Sequence, residues 1–158
     1  MNKKRLLLHA CCAPCSTAVI ERLIPDYEIT LFWYNPNIVP EEEHIKRLSE
    51  LGRYVGDIYP DIELIVGEYT PQKFDNCRDC VAHRLSETAK RAGGFDLFTT
   101  TLTVSPHKNA NEINSIISEY DKGLQADFKK KNGYLRSIEL SKKHNLYRQN
   151  YCGCKHES

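Results

Sequence analysis

The chain has 158 residues, 41% of them hydrophobic, with 22 Lys and Arg against 21 Asp and Glu for a formal net charge of +1. That length suits one domain, residues 1–158, able to bury roughly two-thirds of its unfolded surface. The near-zero charge gives no global signal for nucleic acid, and no apolar run approaches the ~18 residues of a membrane span.

Taken in order, Met1-Asn2-Lys3-Lys4-Arg5 before Leu6-Leu7-Leu8 has the sequence of features found in a leader. Its apolar part is too short and runs into a cysteine-rich loop, so a cytoplasmic protein is expected. Residues 5–9 are predicted as a strand. The loop His9-Ala10-Cys11-Cys12-Ala13-Pro14-Cys15-Ser16 follows, then a helix over about 14–24. Pro14 suits a first helical turn, where its missing N–H removes no bond. Cys11 and Cys12 then stand at the end of a strand beside the positive end of a helix dipole, which favours thiolate.

Residues 27–34, aromatic and β-branched on both faces, are predicted as a strand inside a covered parallel sheet. Residues 35–40 read as a loop. A helix begins after Pro40 with three glutamates and runs to about 55, acid in its first turn as the dipole prefers. Residues 62–66 are predicted as strand, 80–92 as a helix stopped by Gly93-Gly94, and 95–101 as strand. A polar loop over 103–108, a helix over 111–120, a fifth strand over 124–128 and a helix over 134–144 complete the pattern. Such alternation implies right-handed βαβ units around a parallel sheet, with the site beyond the strands' carboxyl ends. The loops after residues 9, 34 and 101 would open on that edge, as would the Cys77 region if it precedes its helix.

Seven cysteines fall in three clusters, an odd and uneven set that points to metal or redox chemistry rather than a secreted disulfide scaffold. Cys77-Arg78-Asp79-Cys80 is a Cys-x-x-Cys, and with Cys11 and Cys12 on the same edge it makes a four-thiolate set. Iron–sulfur ligation, a closed zinc site and plain packing are the three readings, the first favoured because adjacent cysteines are unusual for a zinc knuckle. Cys152-Gly153-Cys154 reads as a strained, easily reduced disulfide, as ligands with Cys15 of a second metal, or as an idle tail. Residues 99–109 gather hydroxyls, His107 and Lys108, groups that hold phosphate or ribose, although the threonines also suit a strand. Residues 127–136 and 147–151 mix cations, amides and aromatics as RNA-binding surfaces do; a solvated charge run accounts for Lys129-Lys130-Lys131 equally well. His9, His44, His83 and His144 read as structural.

Leu8 with the cysteine loop through Ser16, Tyr34-Asn35-Pro36-Asn37-Ile38, Cys77 and Cys80, Arg84-Leu85, and residues 99–109, 127–133 and 146–154 together resemble the epoxyqueuosine reductases of the QueH type. The resemblance spans nearly the whole chain in order. It implies an α/β fold, a Rossmann-like (PP-loop/HUP-like) parallel sheet with helices on both faces. The cysteine loop would stand where that group carries a Ser-Gly-Gly phosphate loop. It implies reduction of epoxyqueuosine to queuosine at the wobble position, on tRNA bearing epoxyqueuosine in the anticodon loop, with an external electron donor and no membrane.

The resemblance further implies a [4Fe–4S] cluster at Cys11, Cys12, Cys77 and Cys80. Cys152 and Cys154 would return to the active site as a catalytic redox pair, or with Cys15 hold an additional mononuclear Fe or Zn. Asp79 or Asp127 would supply a proton or complete the coordination. Tyr34 or Tyr151 would stack on the base, and Asn35, His107, Lys108, Lys129, Lys130 and Arg148 would contact the substrate. Two other classes remain open at this point: a zinc-stapled RNA-binding module without catalysis, and a metal-free dithiol oxidoreductase.

Overall fold

The structure, a computed structural model, describes residues 3–148. Four strands, β1 (Lys4–Ala10), β2 (Tyr27–Trp33), β3 (Glu63–Val66) and β4 (Leu97–Thr100), form one all-parallel sheet in the order β3-β2-β1-β4. Five α-helices accompany them among the described residues: α1 (Ala13–Leu23), α2 (Glu41–Ile58), α3 (Cys77–Arg91), α4 (Ala110–Ile117) and α5 (Gly133–Lys143). None of these helices is long and apolar enough to cross a membrane.

The sheet is built outward from β1. Leu6 pairs with Ile29 and Leu97 on either side, and His9 with Phe32 and Thr100. Alternation divides the strand between two cores. Leu6, Leu8 and Ala10 join Ile29, Leu31 and Trp33 in a cluster with Val19 and Ile20 of α1 and Leu51 and Tyr54 of α2. Leu7 joins Phe32, Tyr34, Phe98 and Ala92 in another. Covering on both faces explains why Leu6-Leu7-Leu8 is an unbroken apolar run instead of an alternating one.

The chain leaves β1 through α1 to β2 and through α2 to β3, then returns through α3 to the opposite side of β1. The strand order therefore reverses between β1 and β4. In open parallel sheets the crevice beyond the strands' carboxyl ends at such a reversal is where ligands bind. Here that place is occupied by the loop after Ala10 and the turn after Thr100.

Three sequence expectations change. The third helix begins at Cys77, not Cys80, because Asn76 caps it: the Asn76 side chain accepts the Asp79 N–H at 2.8 Å. Cys77 thus lies inside the first turn of its helix, whereas Cys11 and Cys12 precede theirs. Residues 101–104, expected as strand end and loop, form a 3₁₀ turn started by the Thr100 hydroxyl, which accepts the Leu102 N–H. Residues 124–128 are not a fifth strand. Gly123 makes a single bridge to Phe98, and the chain then leaves the sheet because the Asn114 side chain takes both backbone groups of Ala126, at 3.0 and 3.2 Å.

α5 docks on α1. Arg136 makes a bidentate pair with Glu21, both bonds 2.8 Å, and Phe128 fills the core beneath Arg22. The start of α5 requires glycine, since a Cβ at Gly133 would overlap the Phe128 carbonyl oxygen, a backbone atom with nowhere to go. Gly133→Ala should therefore destabilise the protein by about 1–3 kcal/mol, the usual cost of overpacking, read as a lower urea midpoint.

Candidate metal centre

β1 ends at Ala10, still paired with Trp33 of β2 and one residue beyond its last pairing with β4, His9 with Thr100, so the direction of the next residues is set by the sheet. The Cys11 N–H donates to the Thr101 hydroxyl oxygen at 3.2 Å, which ties the loop to the turn after β4. The Cys12 carbonyl then accepts from Ser16 twice, from its hydroxyl at 2.6 Å and its N–H at 3.2 Å, closing the first turn of α1. Pro14 sits in that turn as expected.

With the loop so fixed, the sulfurs of Cys11, Cys12 and Cys15 all lie within 4.8 Å of one another. Cys15, one helical turn beyond Cys11, thus shares a point with the other two. The three thiols compete for one negative charge. Cys11 is held well below the usual thiol range, first by the Cys12 thiol donating to it, then by Cys15, the Thr101 hydroxyl at 3.3 Å and the Arg84 charge. The same interactions push Cys12 up to about 12 and raise Cys15. The negative charge is thus favoured on Cys11, and a cation at the trio would favour loss of the other two protons.

The Cys-x-x-Cys motif forms a second cysteine pair, on α3. Cys77 is half-buried, and its Sγ receives the Lys108 ammonium at 2.9 Å. Cys80 is buried, and its Sγ receives Arg84 Nη1 at 3.5 Å. Cys11 and Cys77 flank the same apolar cluster of Val81, Leu85, Leu102, Ile113, Ile116 and Ile117. The two cysteine groups are also joined by polar contacts. Asn35 Nδ2 donates to the Ala10 carbonyl at 3.0 Å, while Asn35 Oδ1 accepts from Arg84 Nε and Nη2 at 3.2 and 2.9 Å.

His9 lies directly beneath, fully buried. Its Nε2 can only donate to the Tyr34 carbonyl at 3.1 Å, so its Nδ1 accepts from the Thr100 hydroxyl at 2.9 Å. Burial, then the charge of Arg84, lowers its pKa to about 4, so the ring is neutral.

The remaining predicted residues divide by exposure. Asn35 is internal, and Tyr34 is buried, its hydroxyl bonded to His83 Nε2 at 2.7 Å and its ring stacked on Phe32. Lys108 is turned inward onto Cys77. The Lys129 ammonium donates to the carbonyls of Thr103 and Lys108 at 3.0 and 3.2 Å, and Asp127 Oδ1 accepts the Lys129 N–H. Asp79, His107, Lys130 and Arg148 are exposed. Tyr151, Cys152 and Cys154 lie outside the described residues. Sequence reasoning read Thr101 as a strand residue or a phosphate or ribose contact and quoted Arg84 only within a matching motif, tying neither to a cysteine; Arg84 follows Cys80 by four residues, the spacing that puts two helical side chains on one face.

The donor chemistry fits a thiophilic metal centre. Converging sulfurs, one already poised as thiolate, with a cation nearby, are what soft metals and iron–sulfur clusters require. Residues 6–158 match the family model described as epoxyqueuosine reductase QueH. Among curated relatives, an epoxyqueuosine reductase QueH of Streptococcus pyogenes is 36% identical over 94% of this chain and 68% of its own. Those of Staphylococcus epidermidis and Staphylococcus aureus are 36% and 35% identical, covering 97% and 96% of this chain and 76% and 75% of theirs.

Two outcomes test this geometry in metal-free protein. Cys11 should alkylate fastest of its trio at neutral pH, and Thr101→Val should slow it by about three- to tenfold, the worth of one neutral hydrogen bond. His9 titrates lower folded than unfolded, so its contribution to stability is present above pH ~6.5 and is lost as pH falls toward 4. His9→Gln should remove up to ~3 kcal/mol of that pH dependence in urea titrations across this window.

Proposed function

This chain belongs to the epoxyqueuosine reductase QueH family, and from that premise we propose that it reduces epoxyqueuosine to queuosine in tRNA. The observation that carries the reading is the convergence of the Cys11, Cys12 and Cys15 sulfurs at the carboxyl edge of β1. The conversion takes the epoxide oxygen out as water, consuming two electrons and two protons and leaving a carbon–carbon double bond. An external donor supplies the electrons.

A [4Fe–4S] cluster on Cys11, Cys12, Cys77 and Cys80 would supply those electrons singly when bound. Cys15 stands beside Cys11 and Cys12 and would, with Cys152 and Cys154, hold an additional mononuclear Fe or Zn or lie against their redox disulfide. What supports a returning tail is the path of the last described residues along α2. Arg53 donates to the carbonyl of Asn145 at 3.3 Å, Glu50 accepts the Tyr147 N–H at 2.6 Å, and Glu43 in the first turn accepts the Tyr147 hydroxyl at 2.8 Å. The chain is therefore heading toward the start of α2, and α2 starts at the edge that carries the cysteines.

Asp79, in the same helical turn as Cys77 and Cys80, and Asp127, beside Lys129, are the carboxylates we assign to proton delivery. His107, Lys130 and Arg148 are exposed cations or imidazole suited to phosphates of the tRNA anticodon loop. Tyr34 and Asn35 act from beneath, shaping the floor of the site. We also assign the sheet to the Rossmann-like, PP-loop/HUP-like group with helices on both faces. The all-parallel order β3-β2-β1-β4 and the apolar clusters on either side of β1 support this.

Anaerobic protein reconstituted with iron and sulfide should convert tRNA-borne epoxyqueuosine to queuosine when given a low-potential reductant, followed by nucleoside mass spectrometry. Cys11→Ser and Cys80→Ser should each lose at least about 100-fold in turnover together with iron content. Wild-type protein that holds only zinc after reconstitution and leaves the epoxide intact would point instead to an RNA-binding module.

A further inference from the structure

Arg84 is 2% exposed and lies in the middle of α3, where burying a guanidinium is costly unless something anionic shares the space. Two of its N–H groups converge on one neutral amide oxygen, Asn35 Oδ1, which fixes the plane of the guanidinium. That leaves Nη1 directed at the Cys80 sulfur at 3.5 Å. The other cysteine of the motif carries a cation as well, Lys108 Nζ at 2.9 Å from Cys77 Sγ. In the trio after β1 the corresponding donor to Cys11 is a neutral hydroxyl, that of Thr101.

Both of these cation–sulfur contacts lie on α3's cysteines, while the Arg84 charge also reaches Cys11. Several thiolates around a metal cluster outweigh the positive charge of its core, and each electron added deepens the excess. Cations and hydrogen bonds at the sulfurs offset that excess and raise the potential at which the electron is accepted. We propose that Arg84, held by Asn35, is a potential-setting residue of the metal centre: its buried guanidinium, with Lys108 on the neighbouring sulfur, stabilises the reduced cluster on its Cys77/Cys80 side. This rests on the iron–sulfur reading of the four cysteines. It also gives Asn35 a defined task as the residue that aims Arg84.

The test uses the full chain reconstituted anaerobically with iron and sulfide, as wild type, Arg84→Met, Arg84→Lys and Lys108→Met. Iron and sulfide are counted first. Midpoint potentials then follow from a dithionite titration monitored by electron paramagnetic resonance. At equal cluster content Arg84→Met should be harder to reduce, with the reduced-to-oxidised ratio at a fixed potential falling about tenfold, ~59 mV for a one-electron couple. Arg84→Lys, which keeps the charge, should recover at least half of the shift. Lys108→Met should shift in the same direction, and it decides the matter if Arg84→Met takes up no cluster.

A fully loaded Arg84→Met with the wild-type potential, an Arg84→Lys no better than Met, or an unshifted Lys108→Met where that variant decides, would overturn the proposal. Wild-type protein that takes up no iron and sulfide would overturn the cluster reading itself, a result separable from all of these because it appears before any substitution is made.

Discussion

One side-chain amide holds the functional end of this molecule together. Asn35 donates to the last carbonyl of the central strand and accepts twice from a buried arginine on the crossover helix. Its two ends thereby connect the loop after β1 to the helix that carries Cys77 and Cys80. Without that bridge, the Arg84 guanidinium would lose the two hydrogen bonds it makes to Asn35, and the Ala10 carbonyl the one it accepts from it. Leaving such groups unsatisfied costs about 1–3 kcal/mol for each neutral one, and more for a charged one. The sequence neighbours of Asn35 are turn residues, yet the asparagine itself is 1% exposed, because its task is internal.

The sheet explains why this bridge stands where it does. Parallel strands require helical crossovers, and the return from β3 to the far side of β1 forces the chain past the strand ends once. α3 is the element that makes this passage. Its first turn therefore comes near the β1 loop, although the two are far apart in the sequence. His9 belongs to the same arrangement. Locked as a neutral ring between Thr100 and Tyr34, it couples three adjacent chain segments without adding charge below the cysteines.

Much of this could be read from the residues in order. The unbroken Leu6-Leu7-Leu8, the aromatic strand after Tyr27, the glutamates after Pro40 and the Gly93-Gly94 stop all report local preferences that the fold keeps. The importance of the first cysteine loop was equally legible, since three thiols in five residues have few structural uses. What escaped depended on partners distant in sequence. Residues 124–128 have strand-like composition, but Asn114 claims the backbone of Ala126 before the ladder can extend. The start of α3 moved from Cys80 to Cys77 because the Asn76 side chain caps it, and capping is a property of one hydrogen bond rather than of periodicity. Arg84 resembled any other helix cation until the fold buried it.

Cys12 occupies the position before α1 where helices usually carry Ser, Thr, Asp or Asn, and its side chain makes no capping bond. A neutral thiol there leaves the helix entrance undersupplied with acceptors, whereas an anionic, metal-held sulfur offers the negative charge that the dipole lacks. A metal held there would therefore be thermodynamically linked to the helix, and through Arg136 and Glu21, which join α1 to α5, the melting temperature would rise with occupancy.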